Sequence, residues 1–178
     1  MIQGTAITLI ADGQDEAAAL DGLADLINSG FADLVDVELS KGDDVMIRLC
    51  AAAHHSSNTK IVASKHDFKK TPAESEIVGS LCKMQELGAD IAKYAVMPKN
   101  ERDVLTLLSA TLIMKEQHSD TPVITMSMGQ LGAVSRVCGS LSGSAVTFGT
   151  AGNASAPGQL PAADLLQSTV HSLCLPSW

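Results

Sequence analysis

Residues 60–97 read KIVASKHDFKKTPAESEIVGSLCKMQELGADIAKYAVM, and this stretch decides the fold. It contains two short runs rich in Ile, Val and Ala, which predict strands over Lys60–Phe68 and Ile91–Met97. Between them, Pro72–Leu87 has the apolar spacing of an amphipathic helix, and Gly88 follows at a position where helices commonly end. A strand, a helix and a second strand in this order predict a parallel pair, because the crossover helix lets both strands run in the same direction.

The same alternation continues on both sides of this unit. The further predicted strands are Thr5–Ala11, Leu34–Leu39, Pro122–Met128 and Ala145–Gly149. The further predicted helices are Asp15–Asn28, Asp43–His54, Glu101–Gln117, a short piece near Ala133–Gly139, and Pro161–Leu173. No stretch has the composition of a linker or a low-complexity tract, so the sequence predicts a single α/β domain over residues 1–178.

The expected architecture is an incomplete (β/α) barrel of the TIM type. About six βα units are visible, whereas a closed barrel has eight and usually about 250 residues. A dinucleotide-binding fold is disfavoured, because no GxGxxG motif follows the first predicted strand. In barrels and in open α/β sheets alike, the carboxyl ends of the strands build the ligand site. Candidate functional residues are therefore sought at those ends.

Composition excludes several classes of function. The net charge of −8 argues against a broad nucleic-acid-binding face, which needs clustered Lys and Arg. No apolar run is long enough to span a bilayer, so no membrane association is expected. The four cysteines are dispersed without a CxxC pair, which disfavours a zinc site and a disulfide framework and favours the reducing cytoplasm; they are Cys50, Cys82, Cys138 and Cys174.

Lys93 lies inside the apolar run Ile91–Met97. Loss of hydration on a buried strand disfavours the charged form of a lysine and makes its amine available as a nucleophile. Such an amine can attack a ketone and form an imine. The alternative is a lysine that extends from an edge strand into solvent.

His66 ends the preceding strand, and Asp36 lies near the end of the strand before that. An imidazole can take up a proton and return it elsewhere near neutral pH. A carboxylate beside it can fix its tautomer and orientation, and Asp36 is the residue predicted to do so for His66. The alternatives are a structural histidine and a capping aspartate.

Further candidates follow the last strands. Arg136 can hold a carboxylate through two hydrogen bonds, although it could equally be an arginine on a surface helix. Met128 alternates with Met126 along a strand, and both are expected to line the barrel interior. The loop from Ser155 to Gln159 is rich in small residues and could close over a polyol, or it could be an ordinary connection.

Taken in order, these segments resemble one enzyme family. The matching stretches are Asp33–Leu39, Ser64–Pro72, Lys93 with Met97-Pro98, Asp103–Leu108, Ile124–Met128, Ser135-Arg136, Thr147–Gly149 and Ala154–Gln159. Together they resemble the type I 3-dehydroquinate dehydratases of the shikimate pathway, from about Asp15 almost to the C-terminus and with nearly unbroken spacing. This match is far more specific than any single motif.

The resemblance implies a hydro-lyase of aromatic amino acid biosynthesis that converts 3-dehydroquinate to 3-dehydroshikimate and water. By resemblance, Lys93 forms a Schiff base with the C3 ketone of the substrate. His66, oriented by Asp36, removes a proton from C2 and then delivers one to the departing C1 hydroxyl. The partner is thus a small anionic cyclic polyol ketone, and neither a metal nor an organic cofactor is implied.

The same resemblance assigns the substrate-binding residues. Arg136 would bind the carboxylate, with Met128 lining the site, and Ser155 and Gln159 would close over the ligand from the loop.

The sequence also departs from the family. Family members begin with an N-terminal hairpin and two βα units that have no counterpart here, including a Glu-x-Arg pair that binds substrate hydroxyls. The stretch Ile7–Gln14 lacks the arginine and glutamate expected there, and Lys65 replaces an asparagine common before the histidine. An N-terminally truncated family member with reduced activity is therefore expected, because lost binding contacts no longer position the reacting atoms.

Two other readings stay open: a non-catalytic relative that binds a ligand or a partner, and a fragment of a longer gene. An incomplete barrel leaves open sheet edges, so self-association is also predicted, with a dimer favoured. Thr5–Ala11 or the last strand is expected near the interface.

Overall fold

The computed structural model describes residues 16–29, 32–56, 58–151 and 158–173. The helices are α1 (Glu16–Asn28), α2 (Asp43–Ser56), α3 (Glu74–Glu86), α4 (Glu101–Gln117), α5 (Gly139–Ser142) and α6 (Ala162–Leu173). The strands are β1 (Leu34–Glu38), β2 (Lys60–Asp67), β3 (Ile91–Val96), β4 (Val123–Ser127), β5 (Gly149–Thr150) and β6 (Leu160–Pro161). Two 3-10 turns cover Leu39–Lys41 and Ala133–Arg136.

Strands β1 to β4 form a parallel sheet in sequential order. Helices α2, α3 and α4 connect successive strands, so each connection is a βαβ crossover of the kind that parallel pairing requires. The register places Glu38 opposite Ser64, and Ser64 opposite Lys93. The short strands β5 and β6 form a second parallel pair.

Side chains alternate between two faces of the sheet, as they do in any strand. The helix face packs against α2, α3 and α4 and carries Val35, Val37, Ile61, Ala63, Ala92, Tyr94, Val96 and Val123. The opposite face, called the site face below, carries Asp36, Glu38, Ser64, His66, Lys93, Ala95, Ile124 and Met126. The apolar residues of the site face form a small cluster separate from the main core.

The helices present apolar stripes to the helix face. In α3, Ile77, Leu81 and Met84 recur at helical spacing and are fully buried. Helix α4 begins at a capped end, because the Asn100 side chain accepts a hydrogen bond from the backbone N–H of Asp103 at 3.1 Å. These contacts fix the strands from behind and leave the site face free for chemistry.

The structure confirms four predicted strands and four predicted helices to within about two residues. They are the strands near residues 34–39, 60–68, 91–97 and 122–128, and the helices near 43–54, 72–87, 101–117 and 161–173. Gly88 ends α3 as predicted, with φ of 90°. A fifth predicted helix, Asp15–Asn28, is confirmed as α1 from Glu16 onward. The predicted strand Thr5–Ala11 lies outside the described residues.

Two predictions near the end of the chain are only partly confirmed. The strand over Ala145–Gly149 is reduced to one bridge between Ser144 and Val123 and the two-residue strand β5. Beyond the bridge, the Ser144 hydroxyl accepts from the backbone N–H of Thr125 (3.1 Å) and donates to its carbonyl (3.3 Å), which replaces the next backbone pairing. The predicted helix near Ala133–Gly139 is a 3-10 turn followed by the single turn α5.

Candidate active site

The candidate site lies on the site face, at the carboxyl edge of β1, β2 and β3. His66 is the next-to-last residue of β2. Lys93, on β3, pairs with Ser64 of β2, two residues before His66. From strand spacing and rise, the Cα atoms of Lys93 and His66 lie about 8 Å apart. Two residues with complementary chemistry, an amine and an imidazole, therefore lie close together on one face of the sheet.

Lys93 is nearly buried and has a defined partner. Its side chain is 12% exposed, and its Nζ donates a hydrogen bond to Oδ2 of Asp36 at 2.6 Å. The Nζ also lies 5.3 Å from the centroid of the Phe148 ring, a cation–π contact. Lys93 is thus not a lysine that extends into solvent, but one held between a carboxylate and an aromatic ring.

His66 is held by Glu38. Nδ1 of the imidazole lies 2.6 Å from Oε2 of Glu38, and the backbone N–H of His66 donates to Oε1 of the same carboxylate at 3.1 Å. The Ser64 hydroxyl donates to Oε2 as well, at 3.3 Å. Because a carboxylate can only accept, the contact assigns a proton to Nδ1, so Nε2 is the nitrogen that can exchange a proton with a substrate.

The predicted partnership between Asp36 and His66 is corrected by this geometry. The carboxylate on His66 is that of Glu38, whereas Asp36 contacts Lys93. The register explains the exchange, because Glu38 is level with Ser64, one side-chain step below His66, and Asp36 is level with Val62, a further step down. Asp36 is therefore too far toward the amino edge to reach the imidazole and instead reaches across β2 to the lysine.

Sequence reasoning missed three residues of the site. Glu38 carried a usable signal, since it follows Asp36 at the spacing that puts both side chains on one face of a strand. The ring of Phe68 stacks on that of His66, with centroids 5.8 Å apart and planes within 7°. Phe68 and Phe148 are both partly exposed at the site, at 63% and 38%, in a chain with only three phenylalanines.

Arg136 reaches the site from behind Phe148. Its Nη1 donates to the backbone carbonyl of Phe148 at 3.4 Å and lies 4.0 Å from the sulfur of Met126, and the residue is 3% exposed. Burial lowers the pKa of the guanidinium from its usual value, yet an arginine remains charged at neutral pH. The alternative of a surface arginine is thus excluded, and a buried cation borders the site.

Of the three other predicted binding residues, the structure describes Met128 and Gln159. Met128 is 2% exposed and belongs to the apolar cluster of the site face, as expected for a residue lining the interior. Gln159 follows Gly158, which packs so tightly on Gly129 that an added Cβ would lie 2.2 Å from the Gly129 carbonyl oxygen. Gln159 therefore lies beside the end of β4. Ser155 is outside the described residues.

A cavity of about 260 Å³ adjoins Arg136, between the turns that follow β4 and residues 144–147. Lys93 and His66 do not line it, so the chemistry of the site face does not depend on this cavity. Burial, followed by the carboxylates of Glu76, Asp67 and Glu38, raises the pKa of Tyr94 to about 12, so this phenol stays neutral at neutral pH. Among the described residues, no group of three or more His, Cys, Asp or Glu could hold a metal ion.

Comparison with known proteins decides the family. A family model described as type I 3-dehydroquinase matches residues 11–171. The chain belongs to this family. It is 53% identical over 136 residues to the 3-dehydroquinate dehydratase of Clostridioides difficile (strain 630), covering 76% of this chain and 53% of that protein. It is 54% identical over 137 residues to the enzyme of Klebsiella pneumoniae, covering 77% of this chain and 54% of the relative.

A solved structure of the type I 3-dehydroquinate dehydratase from Clostridium difficile, with covalently modified comenic acid, shares the fold of this 3-dehydroquinase family member. The TM-score is 0.84 at 45% identity, over 93% of this chain and 63% of the other. The α/β fold with a parallel sheet is therefore confirmed. The chain spans about half the length of the curated relatives it matches. No helix in the described part of the chain is both long and apolar enough to cross a membrane.

Proposed function

We propose that this protein is a Schiff-base dehydratase that converts 3-dehydroquinate to 3-dehydroshikimate and water. The observation that supports this most strongly is the pairing of a nearly buried amine with an oriented imidazole on one face of the sheet. Lys93 and His66 each have their own carboxylate partner within 2.6 Å. An amine and a base held apart in this way are what an imine-based elimination requires.

Lys93 attacks the C3 ketone, and the resulting protonated imine withdraws electrons from C2. The C2 proton then becomes acidic enough for an imidazole to remove. Nε2 of His66 takes that proton, because Nδ1 is engaged with Glu38. The same imidazolium protonates the C1 hydroxyl as it leaves, and the C1–C2 double bond forms. Hydrolysis of the imine releases the product and frees Lys93.

The rest of the site holds the substrate. Arg136 binds the substrate carboxylate, and its burial strengthens that attraction because water is excluded. Met128 forms part of the apolar floor. Ser155 and Gln159 close over the hydroxyl groups of the ligand, and the packing of Gly158, next to Gln159, against Gly129 supports this role for Gln159.

The four-stranded sheet forms part of a (β/α) barrel whose carboxyl edge is the site. The protein acts in the cytoplasm as a homo-oligomer, with a dimer favoured. Within the described residues, β1 has a paired strand on one side only, and Leu34 on it is 57% exposed. Light scattering at working concentration should give the mass of a dimer, and a stable monomer would refute the assembly while leaving the chemistry unaffected.

The function is tested by trapping the imine. The protein is incubated with 3-dehydroquinate, reduced with borohydride and weighed by mass spectrometry. We expect one reduced adduct per chain in the wild type and in Lys65→Met, and none in Lys93→Met. Lys65 is the matched control because it lies on the neighbouring strand with its amine over Tyr94, on the helix face. A folded wild type that binds the ligand without forming an adduct would favour a non-catalytic role.

A further inference from the structure

Two carboxylates project from β1 onto the site face, two residues apart, and each is committed to a different reacting group. Asp36 contacts the amine of Lys93 and Glu38 contacts the imidazole of His66, both at 2.6 Å. An elimination through an imine has two separate sets of proton transfers. One set accompanies formation of the imine, and the other accompanies removal of the C2 proton and departure of the C1 hydroxyl. The division of contacts matches this division of steps.

Glu38 is poorly placed to serve the amine. Its two oxygens together accept from the His66 ring, the His66 backbone N–H and the Ser64 hydroxyl. These three bonds lock the carboxylate to β2 and use it to orient the imidazole. Any proton that Lys93 must lose is therefore not directed to Glu38.

Asp36 is well placed for that proton. Its Oδ2 lies at hydrogen-bond distance from Nζ, and its side chain is 45% exposed while that of Lys93 is 12% exposed. Nζ also lies over the Phe148 ring, which can accept no proton. The geometry makes Asp36 the nearest base to the ammonium.

We propose that Asp36 is the acid–base catalyst of imine formation, a role that deepens the proposed function and rests on it. The Asp36 carboxylate takes one proton from the Lys93 ammonium, and the freed amine attacks the ketone carbon to form the C–N bond. Asp36 then shuttles protons from nitrogen to oxygen. The former carbonyl oxygen leaves as water as the nitrogen lone pair forms the C=N bond.

The protons balance without an external reactant. Of the three protons on the ammonium, two leave in the water and one stays on the imine nitrogen, and Asp36 ends as the carboxylate it began as. His66 and Glu38 act only afterwards, at C2 and at the C1 hydroxyl. Asp36 is thus a catalytic residue of the first step, and Glu38 is a positioning residue of the second.

The test compares Asp36→Asn with Glu38→Gln, using the rate of borohydride trapping by 3-dehydroquinate and the rate of exchange of the C2 proton with solvent deuterium. Asp36→Asn keeps the size of the side chain but cannot take a proton, so trapping should slow by about 100-fold. Glu38→Gln should slow exchange more than it slows trapping. Asp43→Asn is the matched control, since it removes the carboxylate of another Asp–Lys pair, with Lys83 at 2.8 Å, on the surface.

Two further arms make the result decisive. Asp36→Glu retains a carboxylate and should restore part of the trapping rate that the asparagine loses, which a purely structural role would not predict. Reductive labelling of Lys93 by a simple aldehyde reports the reactivity of the amine without the substrate, and Asp36→Asn should slow it as well. Circular dichroism confirms that each variant is folded.

The outcomes separate the two proposals. A wild type that is labelled at Lys93 by the aldehyde but not trapped with 3-dehydroquinate would overturn the proposed function alone. If the trapping and labelling rates of Asp36→Asn stay within about threefold of the wild-type rates, the role of Asp36 alone is overturned. The same conclusion follows if Asp36→Asn and Asp36→Glu slow trapping equally.

Discussion

The two faces of one sheet differ sharply, although the same strands build both. On the helix face, β1, β2 and β3 contribute Val, Ile, Ala and a buried tyrosine. On the site face, the same strands contribute two carboxylates, a serine, a histidine and a lysine. Strands of a parallel sheet are usually apolar on both faces, so polar residues on the site face cost packing and indicate a function. Stability and chemistry should therefore respond to substitutions on opposite faces.

The largest effect is expected from His66→Ala. Removal of the general base should lower the rate of 3-dehydroshikimate formation by about 100- to 10,000-fold. Borohydride trapping at Lys93 should persist, because Asp36 and Lys93 form their contact without the imidazole. The measurement is product absorbance in parallel with intact mass. If a folded His66→Ala variant loses both trapping and turnover, imine formation at Lys93 also depends on the imidazole, and the two steps are not separate.

A smaller effect, of a different kind, is expected on the helix face. Leu81→Ala removes a fully buried side chain of α3 and should lower the free energy of unfolding by about 2–5 kcal/mol. Leu105→Ala, at a position 64% exposed on α4, should change it by less than about 0.5 kcal/mol. Urea titration measures both. Trapping by folded Leu81→Ala should match the wild type, and a large loss of trapping would break the distinction between the faces.

The smallest effect concerns the amino edge of the sheet, opposite the site. Asp90 accepts hydrogen bonds from the Ile61 N–H (2.9 Å), Lys60 (2.9 Å) and His54 (3.1 Å). Burial raises the pKa of this carboxyl, but these bonds more than offset it, and the net result is a pKa below the usual value. Such a carboxylate stabilises the fold at pH values above the pKa that it has in the unfolded chain, about 3.9. This contribution is lost as the pH falls through the lower pKa of the folded state.

Asp90→Asn should therefore lower the free energy of unfolding at pH 7 by about 1–2 kcal/mol. The difference from the wild type should shrink as the pH drops below about 4. Asp120→Asn, at an exposed position in the loop before β4, is the control and should show no such dependence. An equal deficit at both ends of the pH range would mean that Asp90 acts through shape rather than charge.

The sequence predicts the core of this fold well, for a physical reason. Strands β1 to β4 and helices α2 to α4 are regular and packed on each other, so apolar periodicity alone places them. The strand predicted over Ala145–Gly149 is mostly absent, and next to it a side chain takes part in the pairing with β4. The Ser144 hydroxyl replaces a backbone ladder bond with Thr125, and no periodic pattern encodes that exchange.

The site shows the same limit. Lys93 and His66 could be predicted as reacting groups because each is a polar, chemically reactive residue within a largely apolar strand, but the partner of each depends on register. One side-chain step along β1 decides whether Asp36 or Glu38 meets the imidazole. The contacts of Phe68 and Phe148 are also products of tertiary structure, since a phenylalanine after a strand has many possible neighbours.

The central claim is that the site face carries the reacting amine, and mapping the trapped adduct tests it most directly. Reduction onto Lys93 blocks cleavage by trypsin after that residue, so the adduct should appear in the uncleaved peptide Met84–Lys99. Tandem mass spectrometry should place the added mass on Lys93 alone. An adduct on Lys65, whose amine lies on the helix face, or one spread over several surface lysines, would contradict the account.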